Sequence, residues 1–236
     1  GLEHIRGRPS TALMPHQLTH PDFRDFLISR LSQPLPGQMA QFQMAPLARQ
    51  QPEMASVHAK KCREAGVLAL FYPDSDGMPA LLLTVRPKAM NKHAGQVAFP
   101  GGRREKGEDL EETALRETEE EVLIHRSKVD VLGTLSSLYI PPSNFCVYPF
   151  IGCIDYTPDL SVRTEEVADM FGVPVSHLID AERRRVTRRS VGEAERDVPH
   201  FLFQDRFVWG ATAMMISELA AVLQPSLLDM KPLVRS

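Results

Sequence analysis

Three glutamates near the end of a charged segment have the spacing of a divalent-cation site. Glu117, Glu120 and Glu121 stand at positions i, i+3 and i+4, so a helix would bring their carboxylates to one exposed face. Glu119 would point elsewhere. Hard oxygen ligands gathered in this way suit Mg²⁺ or Mn²⁺ bound beside the phosphates of a substrate. The spacing therefore predicts a metal site that serves phosphate chemistry.

The same glutamates would weaken a helix that held no cation. They crowd into its last turn, where the helix dipole disfavours each anion by roughly 0.3–1 kcal/mol. Like charges at i and i+4 add a similar penalty. The alternative interpretation is a solvated acidic face with Arg116 as its local ion-pair partner, which is the commoner meaning of an isolated acidic run. The residues around the run favour the metal site.

Those residues form a longer pattern. From Gly102 to Glu121 the chain reads G-x5-E-x7-R-E-x2-E-E, which resembles the Nudix box, a loop–helix–loop signature of pyrophosphate-cleaving enzymes. The resemblance implies that Glu117, Glu120 and Glu121 hold the cations, with the Gly102 carbonyl nearby. It further implies that Arg116 orients Glu117 and that Glu108 supports the loop.

One position departs from the box. The family has glycine where Leu123 stands, and that glycine normally ends the helix in a left-handed conformation, which costs other residues roughly 1–2 kcal/mol. We therefore expect the helix to run on toward His125 or to end in a different cap. Thr118 also replaces an apolar residue of the box. Neither change removes a ligand, so activity is expected to survive.

A second resemblance concerns the substrate. Residues 82–102 read LLTVRPKAMNKHAGQVAFPGG and resemble the extra motif of the coenzyme A pyrophosphatase subfamily, although Pro87 and Met90 depart from it. Similarity to that subfamily continues to about residue 223. It implies cleavage of coenzyme A into 4′-phosphopantetheine and adenosine 3′,5′-bisphosphate. The alternatives are another nucleoside diphosphate derivative, such as ADP-ribose or a dinucleotide, and a non-catalytic module that binds nucleotides.

Basic residues surround the acidic segment in a chain whose net charge is −3. Six cations and one acid lie between positions 86 and 106: Arg86, Lys88, Lys92, Arg103, Arg104 and Lys106 against Glu105. Such a concentration suits a polyphosphate ligand. The predicted substrate-binding residues are Arg86, Lys92, His93, Gly95, Phe99 and Arg103. Arg86 is the best phosphate clamp, because its planar fork fits phosphate oxygens. For Phe99 a core position is the commoner interpretation, and stacking on the ligand is the other.

The implied chemistry is attack of water on phosphorus, assisted by metal cations that polarise phosphate oxygens and activate the water. The general base is open among Glu120, Glu121 and Glu166, the last being the carboxylate at the family's downstream Glu-Val position. His93 could act as base or bind phosphate.

The elements around this site predict an α/β fold of the α+β kind, an α/β/α sandwich with a mixed central sheet. Apolar runs at 66–72 and 79–86 predict strands joined by a hairpin, a charged helix covers about 108–123, and a last helix covers about 209–223. Further strands are expected at 129–139, 145–155, 165–171, 185–191 and 199–203.

Three parts are expected along the chain: an arm over residues 1–63, a Nudix domain over 64–225 and a tail over 226–236. The arm should hold one helix capped by Asp22, an extended Pro-rich stretch and a short helix over Met54–Arg63, packed on the core or on a partner. We expect a homodimer. With 43% hydrophobic residues, three scattered cysteines and no long apolar run, the chain is expected to be cytoplasmic, without disulfides or structural zinc.

Overall fold

The computed structural model describes residues 12–46, 61–89 and 95–234. Its α-helices are α1 (His20–Leu31), α2 (Gln38–Phe42), α3 (Leu110–Val122), α4 (Val175–Leu178) and α5 (Gly210–Leu223). Single 3-10 turns occupy Pro15–Gln17, Arg126–Lys128, Pro141–Ser143, Ala181–Arg183 and Pro225–Asp229. Within these ranges, no helix has the length and apolar character that crossing a bilayer requires.

The strands form two sheets. The larger contains β1 (Arg63–Pro73), β2 (Pro79–Val85), β3 (Val97–Ala98), β4 (Gly101–Arg103), β5 (Asp130–Thr134), β6 (Leu138–Ile140), β7 (Phe145–Cys153) and β8 (Asp169–Pro174). The smaller contains β9 (Arg184–Val191), β10 (Ala194–Phe203), β11 (Arg206–Trp209) and β12 (Leu233–Val234). In the larger sheet β1 runs parallel to β7 and antiparallel to β2 and β4, so the sheet is mixed, as predicted.

The larger sheet lies between two apolar cores because successive side chains of a strand point to opposite faces. From β1, Leu68 and Leu70 enter the core under α3, whereas Ala69 and Phe71 enter the other, which also contains residues of α1 and α5. The α/β/α sandwich predicted from the sequence is confirmed. Burial of apolar side chains between α3 and β1 holds this helix, which carries the acidic residues, against the sheet.

Several predicted boundaries are wrong. The strand expected over 129–139 is two strands, β5 and β6, and the one expected from residue 165 begins at Asp169, after a turn. The sequence patterns missed β4, β11 and β12. In the arm, Thr19 rather than Asp22 is the N-cap of α1. Helix α2 lies in a stretch expected to be extended. The helix predicted over Met54–Arg63 falls largely outside the described residues, and Arg63 itself begins β1.

The arm packs on the main core through buried side chains, among them Phe23, Leu27 and Met44. A buried carboxylate of α5 adds polar contacts. Glu218, which is 0% exposed, accepts hydrogen bonds from the Gly37 N–H (3.0 Å), the Gln41 amide (3.1 Å) and the Ser136 hydroxyl (2.6 Å). These donors satisfy a charge that would otherwise be costly to bury.

The expectation that the chain holds no disulfide is wrong. Cys62 and Cys146 form one, with 5.7 Å between their Cα atoms. The reason is the parallel pairing of β1 and β7, which sets Arg63 opposite Phe145 and so brings these cysteines together across 84 positions of sequence. Cys153 is a free, buried cysteine.

Candidate active site

Helix α3 begins at a capping box. The Asp109 carboxylate accepts from the Glu112 N–H (2.8 Å), and the Glu112 carboxylate accepts from the Asp109 N–H (2.9 Å). Ala114, Thr118 and Val122, which stand at four-residue steps, form the buried side of the helix. Gly66 of β1 allows this approach, because a Cβ there would overlap the Leu110 carbonyl oxygen. The helix is thereby held close to the strand that pairs with Gly102.

The helix ends at Val122, and Leu123 adopts the left-handed conformation itself, with φ 55° and ψ 33°. Neither outcome expected for this leucine occurs: the helix does not continue, and its cap has the backbone form that glycine normally supplies. The Leu123 side chain is 63% exposed, so it meets no packing obstacle there. The last turn, with Glu121, therefore keeps the geometry of a glycine-capped helix.

Three carboxylates converge at the end of α3. One oxygen each from Glu117, Glu121 and Glu166 lies within 4.8 Å of the other two. Glu166 lies in the turn before β8, and the structure brings it to the helix although it stands 49 positions after Glu117 and 45 after Glu121. We name these three residues the carboxylate trio. The three glutamates of α3 were predicted to share one exposed face. Glu121 is instead only 8% exposed, because it lies under the Gly101 backbone.

Burial makes Glu121 an unusual acid. The Gly101 N–H donates to its Oε2 at 3.2 Å, and Arg86 lies close enough to favour its charged form. Desolvation outweighs both, and with the neighbouring Glu117 and Glu166 it raises the pKa of Glu121 to about 8. A cation among these carboxylates would offset that cost.

Glu117 is held from two sides. Gly102 faces its carboxylate so closely that a Cβ at position 102 would lie 2.5 Å from Oε1. On the other side the Arg116 Nη1 donates to Oε1 at 3.1 Å. Desolvation raises the pKa of Glu117, and the Arg116 charge partly opposes the rise. The glycine of the box is thus required by the glutamate that packs on it.

Glu120 lies outside the carboxylate trio. Its side chain is 55% exposed, and its Oε2 accepts from Arg116 Nη1 at 3.3 Å. The spacing put it on the same side as Glu117 and Glu121, but a long exposed side chain can turn toward the nearer guanidinium.

Arg116 connects the helix to the preceding loop. It contacts both oxygens of Glu108 and donates to the Arg103 carbonyl at 3.2 Å. Glu108 also accepts from the Glu105 N–H (3.1 Å) and the Thr113 hydroxyl (2.8 Å), and the Arg116 contact foremost lowers the pKa of Glu108 to about 2. These contacts are those expected of residues that orient Glu117 and support the loop.

The predicted substrate-binding residues have different surroundings. Arg86 is half-buried and flanks Glu121, and its carbonyl accepts from the N–H of Gly95, whose φ is 71°. Arg103 is exposed beside Gly102. Phe99 is 3% exposed within the main core, which is the commoner interpretation given for it, and not stacking on a ligand. Lys92 and His93 lie outside the described residues.

Arg104, counted among the cations of the basic loop, has a structural partner. Its Nη1 lies 2.6 Å from the Glu64 carboxylate, and its Nε donates to the Glu108 carbonyl at 2.7 Å. It therefore holds the loop against β1. The positive charge available to a ligand is smaller than the residue count suggested.

Sequence patterns did not predict two residues that shape the site. Thr164 donates from Oγ1 to the Glu121 carbonyl at 3.1 Å, and Asp169 binds Arg163 at 2.7 Å across the base of the turn that carries Glu166. Both contacts join segments that only the tertiary fold brings together.

The carboxylate trio fits a divalent cation. Its oxygens are hard ligands, two of its members are desolvated, and the absence of a side chain at Gly102 leaves room for the Glu117 carboxylate. Three carboxylates this close repel one another, and Arg116 and Arg86 supply only part of the compensating charge.

Comparison with known proteins identifies the family. The Nudix domain model matches residues 62–191. The chain is 35% identical to the uncharacterized Nudix hydrolase NudL of Yersinia enterocolitica, over 83% of this chain and 96% of that protein. It is 38% identical to the uncharacterized Nudix hydrolase NudL of Pectobacterium atrosepticum, over 72% of this chain and 86% of that protein.

Among solved structures, a Nudix hydrolase from M. Smegmatis, RenU, overlaps 71% of this chain and 85% of its own, with 17% identity and a TM-score of 0.46. A similarity at that level supports neither a substrate nor a mechanism. The domain match covers more than half of the 236 residues, and the Yersinia relative is covered almost completely. The chain therefore belongs to the Nudix hydrolase family and is a pyrophosphohydrolase.

Proposed function

We propose that this hydrolase cleaves coenzyme A into 4′-phosphopantetheine and adenosine 3′,5′-bisphosphate, with Mg²⁺ or Mn²⁺ as its cofactor. The observation that carries the proposal is the convergence of Glu117, Glu121 and Glu166 next to Arg86. The choice of coenzyme A among nucleoside diphosphate derivatives rests on residues 82–102, which resemble the coenzyme A pyrophosphatase motif.

The cation would be held by Glu117, Glu121 and the Gly102 carbonyl, with Glu166 adding charge and Glu120 within reach by turning away from Arg116. When bound, a divalent cation supplies the positive charge that polarises phosphate oxygens. Arg116 keeps Glu117 in place through a contact at 3.1 Å.

Arg86 and Glu166 would act on the substrate. The planar guanidinium of Arg86 binds non-bridging oxygens of the diphosphate and orients it over the carboxylates. Glu166 is exposed, so water reaches its carboxylate, and it accepts the proton of the water that attacks phosphorus. The new P–O bond forms as the P–O–P linkage breaks, and the leaving phosphate departs with its electron pair.

The alternative function, a non-catalytic module that binds nucleotides, has less support once the end of α3 is known. That alternative was raised by the unusual arm and by Leu123, which put the geometry of Glu121 in doubt. Because Leu123 takes the left-handed cap, Glu121 keeps its contact with the Gly101 N–H. A catalytic site is therefore the better proposal.

Two copies of the chain are also proposed to associate, on the strength of the family resemblance. Light scattering on the purified protein tests this against the chain mass of 26.4 kDa. A mass near twice that value supports the homodimer, and a mass near the single-chain value contradicts it.

Product analysis tests the activity. The protein is incubated with coenzyme A, ADP-ribose and a dinucleotide, each with Mg²⁺, with Mn²⁺ and with a chelator. Glu121→Gln removes one charge of the carboxylate trio. Glu119→Gln is the matched control, because Glu119 belongs to the same helix but pairs with Arg126 at 2.7 Å, away from the trio.

Metal-dependent release of 4′-phosphopantetheine, fastest with coenzyme A, lost in Glu121→Gln and kept in Glu119→Gln, is the expected result. Faster cleavage of ADP-ribose or the dinucleotide would retain the pyrophosphohydrolase chemistry and overturn the substrate. Equal activity of Glu121→Gln and the parent would overturn the assignment of the site.

A further inference from the structure

The turn that carries Glu166 is closed on itself. Arg163 and Asp169 form an ion pair at 2.7 Å across its base, and Arg163 also donates to the carbonyls of Leu160 (2.7 Å) and Val162 (2.8 Å). Within the turn, Thr164 and Val167 exchange two backbone hydrogen bonds, at 3.2 and 3.4 Å. Glu166 therefore projects from a short segment whose backbone is fixed at both ends.

A side-chain hydrogen bond attaches this turn to the end of α3. The Thr164 hydroxyl donates to the Glu121 carbonyl at 3.1 Å. That carbonyl belongs to the last turn of the helix, whose carbonyls lack partners within the helix. Beside it, Val167 is 1% exposed and lies in the same core cluster as Ala114 and Val122 of α3.

The attachment opposes a specific repulsion. The Glu166 carboxylate faces Glu117 and Glu121, and whenever these carboxylates are ionised, like charges at this separation push the exposed Glu166 away. Its long side chain gains rotamer entropy by leaving. A hydrogen bond that ties its backbone to the helix carrying the other two carboxylates limits that movement.

We infer that Thr164 is a positioning residue, which holds Glu166 against Glu117 and Glu121 through the Glu121 carbonyl and so sets the cation affinity of the site. Any effect of Thr164 on the rate of hydrolysis depends on the proposed function. Its effect on the cation affinity of the carboxylate trio depends only on the contacts described above.

The experiment compares three variants with the parent by calorimetric titration with Mn²⁺ alone. Thr164→Val keeps the shape of the side chain and removes the donor, and Thr164→Ser keeps the donor. Thr157→Val is the matched control: Thr157 lies in the same connection and donates to the Pro73 carbonyl at 2.7 Å, at the far end of β1. Melting temperatures measured with a chelator establish that all variants are folded.

One hydrogen bond of this kind changes an equilibrium constant by about three- to tenfold. Thr164→Val is expected to weaken Mn²⁺ binding by that factor, with Thr164→Ser and Thr157→Val close to the parent. Unchanged Mn²⁺ affinity in Thr164→Val would overturn the inference, as would an equal loss in Thr157→Val.

A double-mutant cycle with Glu166→Gln separates positioning from a general loss of structure. If Thr164 acts through Glu166, Thr164→Val has no further effect on Mn²⁺ affinity in the Glu166→Gln background. Additive losses would overturn the inference. Should the parent cleave none of the diphosphates, the proposed function fails, and the Mn²⁺ titrations still decide the role of Thr164.

Discussion

The Glu117 carboxylate occupies the space beside the Gly102 Cα in which any other residue would carry its Cβ. Gly102→Ala is therefore expected to displace Glu117 from the carboxylate trio. A displacement of about 1 Å at a reacting centre can cost on the order of 100-fold in rate. We expect a loss of that order in diphosphate hydrolysis, measured at saturating Mg²⁺.

Gly107→Ala is the control for the loss of a glycine in the same loop. Nothing lies within 4 Å of a Cβ at position 107, although its φ of 91° makes the substitution mildly destabilising. Its hydrolysis rate should remain near that of the parent. A Gly102→Ala enzyme with full activity would contradict the contact with Glu117.

The left-handed Leu123 predicts a stabilising substitution. Leu123→Gly removes a conformational cost of roughly 1–2 kcal/mol and adds some entropy to the unfolded chain, so a net gain of about 0.5–1 kcal/mol in the free energy of unfolding is expected. The exposed leucine side chain contributes little packing that could be lost. Urea denaturation measures the change. Leu123→Ala keeps a Cβ and should give no such gain; equal gains in both variants would show that φ is not the cause.

The contact between Glu108 and Arg116 predicts a pH-dependent contribution to stability. The pKa of Glu108 falls from its ordinary 4.5 to about 2 in the folded protein, which corresponds to roughly 3 kcal/mol at most. Because the folded-state pKa is the lower one, this stabilisation is complete above pH 4.5 and is lost as the pH falls toward 2.

Glu108→Gln is accordingly expected to unfold more easily than the parent at pH 7, by about 1–3 kcal/mol. The difference between the two should shrink as the pH is lowered below 4.5, which urea denaturation at a series of pH values can follow. A difference that stays constant down to pH 3 would exclude the carboxylate charge as its source.

The cysteines predict a definite pattern of thiol titration. Burial raises the pKa of the Cys153 thiol to about 12, and Cys62 and Cys146 are joined in a disulfide. The folded, unreduced protein should react slowly with a thiol reagent. One thiol should appear after denaturation and all three after denaturation with reduction. Three thiols in the denatured, unreduced protein would rule out the disulfide in the preparation tested.

The sequence predicted those parts of the site that local spacing determines. Positions i and i+4 on an amphipathic helix place Glu117 and Glu121 on one side, and the box glycine implied a close backbone at Gly102. Spacing does not determine the direction of an exposed side chain, so it left open whether Glu120 joins the cation site or pairs with Arg116, as it does. The Thr164 contact and the disulfide depend on strand pairing across long separations, which single-sequence patterns do not contain.

The buried carboxylate of Glu218 limits how far the chain can be shortened at its N-terminus. The family domain match ends at residue 191, yet the last helix brings Glu218 to donors that come from residues 37 and 41, ahead of that match, and from residue 136 inside it. A shortened chain that begins at residue 62 would leave an anion in the interior with two of its donors missing. The smallest cooperative folding unit is therefore larger than residues 62–191, which the family model matches.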